Sequence, residues 1–192
     1  MPIRFIHMWQ VDDCPVDSVG DDLAVPRRTT LEREMDHRLK TFAQEACRRF
    51  DFLVAEHDFT GPLCEPRTTS DRRPVSLEVR YVSPSLTVAI QLTLGFGGEE
   101  EVGTGLVLRT ADEVIAADVG HVAAAAGLGP AQHISCSART ATQMRGSLTA
   151  QAAALRQLVP LLRGGAGAAL MRDTQFAHRR PSLFRNAHHP GS

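Results

Sequence analysis

Three hydrophobic patterns follow one another along the chain. Between residues 29 and 50, Leu31, Met35, Leu39, Phe42, Ala46 and Phe50 recur every three or four positions, and Arg33, Glu34, Arg38, Lys40, Glu45 and Arg48 fall mostly between them. That period gathers the apolar set on one face of an α-helix. Thr29 and Glu32 have the spacing of a capping box that would start it. The helix is expected to run on through FLVAEHDF and to break at Gly61 and Pro62, after which CEPRTTSDRRP reads as a polar, mobile connection.

The second pattern has a period of two. Val75, Leu77, Val79 and Tyr81 alternate with Ser76, Glu78 and Arg80, and Ser83-Pro84 makes a tight turn. Leu86, Val88, Ile90, Leu92 and Leu94 then repeat the alternation, and GTGLVLR follows a glycine cluster as a third strand. Connections this short join antiparallel neighbours, because a parallel crossover needs about a dozen residues. The third pattern is helical again. ADEVIAADVGHVAAAAG is helix-prone until Gly127, Gly129 and Pro130 stop it, and Met144, Leu148, Leu155, Leu158, Val159 and Leu162 form the stripe of a long helix with Pro160 as a kink. GGAGAALMRDTQF adds a short turn.

The expected fold is therefore α+β: a three- or four-stranded antiparallel meander packed on one face by an N-terminal amphipathic helix and C-terminal helices. Residues 1–28 read as an acidic, partly irregular extension, 29–175 as a single domain, and 176–192 as a flexible basic tail.

Composition narrows the function classes. In 192 residues, 43% are hydrophobic and 22% charged, the balance of a globular protein that folds unaided. The formal net charge of −1 gives no general attraction to nucleic acid or anionic lipid, so nucleic acid is disfavoured as a partner. No apolar stretch is long enough to span a bilayer, and the opening MPIRFIHMWQVDDC lacks the apolar core of a secretory signal, which points to the cytoplasm. Lys40 is the only lysine among many arginines and alanine is abundant, as GC-rich bacterial coding would produce.

Candidate chemistry is sparse. Gly95-Phe96-Gly97-Gly98 follows a strand, but a phosphate cradle needs a helix next, and here another strand and Glu99, Glu100 and Glu101 come instead, so the stretch reads as a hairpin turn. Cys14, Cys47, Cys64 and Cys136 form no C-x-x-C and are expected to be free thiols. Eight histidines are scattered; Asp118 with His121, and His133 with Cys136, are the nearest approaches to paired ligands, and neither is completed nearby. HISCS resembles no nucleophile signature. No catalytic residue, metal ligand or cofactor site is expected, and the residues favour a non-enzyme.

The acidic start and the glutamate turn suit a basic partner. The face carrying Glu78, Arg80 and Gln91, with Glu99, Glu100 and Glu101 at the turn, is the expected interface for another protein, and a homo-oligomer is compatible with it. The competing expectation is a small-ligand binder or enzyme whose pocket lies between sheet and helices, drawing polar groups from distant histidines and Cys136.

The order of FDFLVAEHDF, VSLEVRYVSPSLTVAIQL, an acidic turn and a helix ending near LLRGGAGAALMRD resembles small proteins of GC-rich bacteria with the layout of immunity proteins, which neutralise toxins. The resemblance implies an α+β inhibitor or a component of a larger assembly. Its matching positions, Phe50, Phe52, Leu53, Tyr81, Ser83 and Pro84, are core and turn residues, so no site residue carries over.

Overall fold

The computed structural model describes residues 30–68, 74–94, 100–174 and 177–181. Helices α1 (Thr30–Phe50) and α2 (Phe52–His57) precede five strands: β1 (Thr60–Thr68), β2 (Pro74–Val82), β3 (Leu86–Leu94), β4 (Glu100–Arg109) and β5 (Glu113–Asp118). Then come α3 (Val119–Ala125), a single 3-10 turn at Ala131–His133, α4 (Ala141–Arg163), α5 (Gly167–Arg172) and a closing strand β6 (His178–Pro181). All pairings are antiparallel, and the order across the sheet is β1-β2-β3-β4-β5-β6.

The α+β meander is as the alternation predicts, with six strands in place of three or four. β1 comes from the stretch expected to break the helix and then wander, and β6 from within the expected basic tail. The segment from Ala111 to Gly127, expected to be helical throughout, is β5 followed by α3. The expected extension 1–28, the cap residue Thr29, the turn from Gly95 to Glu99 and residues 182–192 lie outside the described residues. β3 and β4 pair from Leu86↔Leu108 to Leu94↔Glu100, so a strand, not a helix, follows the glycines.

One face of the sheet carries the core. Leu86, Val88, Ile90 and Leu92 of β3 stand opposite Leu108, Leu106, Thr104 and Val102 of β4, and all are buried. Phe42, Ala46 and Phe50 of α1 and Leu148, Leu155, Leu158 and Val159 of α4 complete the cluster. α4 begins at a complete capping box in which Thr140 and Gln143 exchange backbone and side-chain hydrogen bonds. Among the described residues, no helix is long and apolar enough to cross a membrane.

A polar seam holds α1 against α4. Glu45 accepts hydrogen bonds from Arg48 of its own helix and from Arg145 of α4, each at 2.8 Å, and pairs with Arg49, which also donates to Thr149 of α4 at 2.9 Å. Burial alone would push the Glu45 carboxyl up; the three arginines together outweigh it and hold the group at about 2. A carboxyl depressed in the folded state contributes stability that is whole above its unfolded value of 4.5 and is lost as pH falls toward 2. Glu45→Gln is therefore expected to be less stable than the parent at pH 6, with the gap closing between pH 4.5 and 2. Urea midpoints across that range test it, and a pH-independent gap would contradict it.

Candidate functional site

The outer face of the sheet is polar and built in rows. Glu65, Glu78, Gln91 and Gly103 stand side by side across β1 to β4, and Arg80, Ala89, Gly105 and Asp118 across β2 to β5. Glu65 and Glu78 would repel each other as direct cross-strand neighbours. Arg80 removes the conflict by donating to Glu65 at 3.0 and 3.2 Å and to Glu78 at 2.8 Å.

Along β4 the edge forks. β5 pairs with it only from Gly105 to Arg109, and at Asp118 the chain leaves for α3. The remaining edge is taken by residues 136–138 returning ahead of α4: the Val102 N–H donates to the Cys136 carbonyl at 2.8 Å, and the Ala138 N–H to the Glu100 carbonyl at 2.9 Å. A strand edge left between two diverging partners exposes backbone groups that a buried site cannot leave unpaired. Gln151, 2% exposed on α4, fills that role. Its Nε2 donates to the carbonyls of Val102 (2.8 Å) and Ser135 (3.0 Å), and the Thr104 hydroxyl donates to its Oε1 at 2.6 Å. One turn earlier the buried Ser147 hydroxyl donates to the Ser137 carbonyl at 2.7 Å.

The fork opens onto a cleft of about 860 Å³. Its floor is Ala89, Gly103 and Gly105, where the strand presents almost no side chain; a Cβ at Gly103 would meet nothing within 4 Å, and one at Gly105 only the Ala89 carbonyl at 3.9 Å. Gln91, Thr93 and Glu101 border one side, and Asp118, His121, Ser135, Cys136 and Ser137 others. Asp118 caps α3 by accepting the Gly120 N–H at 2.7 Å, and His121 Nδ1 lies 3.9 Å from the same oxygen. The ionisable groups among the described lining residues are Glu101, Asp118, His121 and Cys136, with no arginine or lysine. A smaller hollow of about 320 Å³ adjoins it at Glu101, Cys136, Ser137 and Arg139.

The expected interface residues are thus sorted by the fold. Gln91 and Glu101 come together in the cleft, with Glu78 beside Gln91 in the same row and Arg80 in the next. Glu100 instead turns toward the helices, where Arg38 binds its carboxylate and also reaches the Ala138 carbonyl. Glu99 lies outside the described residues. Asp118, His121 and Cys136 reach the cleft while His133 is not among its lining, and among the described residues no three His, Cys, Asp or Glu side chains gather as a metal site. Gly103, Gly105 and Gln151 were not singled out by the sequence. Their signals are glycines at alternate positions of a strand, which mark a bare or closely approached face, and a glutamine in register with an apolar helical stripe.

Fold and site together define a one-sided antiparallel meander with an open, acidic cleft at its forked edge. No protein-family model matches the chain, and neither a curated protein nor a solved structure matches it.

Proposed function

We propose that the chain is a protein-binding module that receives a basic segment of its partner in the cleft, in the manner of an immunity-type inhibitor or an assembly component in the cytoplasm. The observation that carries this reading is the pairing of a side-chain-free floor with Glu101 and Asp118 at its margins and no cation among the described lining residues. An arginine or lysine side chain laid over Gly103 and Gly105 meets carboxylates without displacing a neighbour, and the acidic rim speeds encounter with a basic surface.

Gly103→Leu tests it, because the new side chain enters open space and fills the cleft while the fold stays intact. On an array of arginine- and lysine-bearing peptides, the parent is expected to bind a subset with salt-sensitive affinity. Gly103→Leu should lose that binding by roughly tenfold or more, the order of one buried contact group. Equal retention by the two proteins would remove the cleft from the interface. A second reading is favoured by the volume alone, since about 860 Å³ is within the range of small-molecule sites. A thermal shift of the parent by a small amine, absent in Gly103→Leu, with no peptide bound, would select it.

A further inference from the structure

The margins of the cleft repeat the geometry of the sheet that carries them. Cross-strand partners share a face, so the cleft floor is a grid of three rows: Gly105 with Asp118, Gly103 with Gln91, and Glu101 with Thr93 and Ser137. Among the described residues the middle row stops at Gly103, because β5 departs at Asp118 and the returning chain joins β4 again only at Ser137. The two carboxylates therefore stand in the outer rows, on neighbouring strands. Two rows are four residues of strand, or about 13 Å, and one strand across adds about 5 Å. Both Glu101 and Asp118 are exposed, and the bond by which Asp118 caps α3 uses Oδ1. The two arginines whose side chains are described on this face are held by the sheet itself, Arg80 by Glu65 and Glu78, and Arg109 by Thr87.

We infer that the partner's segment is an extended strand with basic side chains at positions i and i+4, laid along β4 so that one cation meets Asp118 and the other Glu101, with residue i+2 over Gly103. This rests on the reading of the cleft as the seat of a basic segment. An extended chain has the same two-residue repeat as the grid, so its residues i, i+2 and i+4 all face the floor and fall one to a row. A spacing of three or five turns the second cation to the opposite face. An α-helix matches the carboxylates less well, since its same-face residues at i+7 and i+11 stand about 10 and 16 Å from residue i. The bare floor lets the strand settle, because a Cβ at Gly103 meets nothing within 4 Å and one at Gly105 only the Ala89 carbonyl at 3.9 Å. Position i+2 thus takes a small side chain without displacing a neighbour.

The test measures, by fluorescence anisotropy at low salt, binding of the full chain to glycine- and alanine-based peptides that carry two arginines three, four or five positions apart. All three have the same charge, so general attraction to an acidic rim cannot separate them. The i, i+4 peptide should bind roughly fivefold more tightly than the other two, the upper end for one partly exposed charge pair. Glu101→Gln and Asp118→Asn should each abolish that preference, and asparagine preserves the cap of α3. Two-arginine peptides that bind alike whatever their spacing, or a preference that survives both variants, overturn the inference and leave the cleft as a seat for basic segments. No binding of any of the peptides overturns that reading and the inference with it. Because the spacing series is read on the parent, a variant that fails to fold does not blur the outcome.

Discussion

Gln151→Leu is expected to cost about 4 kcal/mol, the penalty of leaving two to three buried polar groups without partners at roughly 1–3 kcal/mol each. The substitution removes the acceptor of the Thr104 hydroxyl and the donor to the Val102 and Ser135 carbonyls in one step. The leucine has nearly the right volume, so the loss is one of polar pairing and not of packing. For a domain of this size the melting temperature should fall by roughly 8–16 °C. Gln157→Leu on the exposed side of the same helix is the control and should shift it by no more than a degree or two, the range of ordinary surface changes. Thr104→Val combined with Gln151→Leu should cost less than the two singly, since the first removes a group the second orphans. A drop of only a degree or two for Gln151→Leu would mean that water replaces the amide, and the fork would not depend on it.

The second large effect belongs to Gly167, the first residue of α5. A Cβ there would stand 2.1 Å from the Leu162 carbonyl oxygen and 2.7 Å from its carbon, both backbone atoms of α4 that no rotamer change can move away. Gly167→Ala must therefore part the two helices at their corner and loosen Met171, which α5 buries in the core. We expect a loss of about 3 kcal/mol or more, the upper range of overpacking. Gly165→Ala two residues earlier meets nothing within 4 Å and should be near neutral. Calorimetry of the pair decides the point, and equal melting temperatures would refute the close approach.

Much of this fold is legible because its elements have strong periods. α1, β2, β3 and α4 each place four or more apolar residues at helical or alternating intervals and β4 three, Val102, Leu106 and Leu108; apart from the half-buried Leu94, those residues are buried wherever their side chains are described. β1 escapes because TGPLCEPRT holds two prolines and little alternation, and an edge strand tolerates both. β5 escapes because EVIAAD sits in an alanine-rich run whose intrinsic preference is helical, and pairing with β4 overrides it. The candidate site is less legible still. Glu101 and Gln91 could be placed on one face by counting, but the cleft exists only because β5 and residues 136–138 share the edge of β4, and no local pattern encodes that division. The same limit hid Gln151, two of whose partners lie 47 and 49 residues back along the chain.

The nearest-neighbour order of the strands has a consequence for biosynthesis. β1 to β5 can zip as each emerges, since every strand pairs with the one just made, but β6 is separated from β5 by the whole of α3, α4 and α5. Until His178–Pro181 leaves the ribosome, the outer edge of β5 has no partner along Glu113–Ala116. A nascent chain at that stage offers a template on which a neighbouring copy could dock by exchange of the same strand. The final few residues of the sheet thus act as a closing seal, and the pause before their arrival is the interval in which crowded synthesis is most exposed to entanglement.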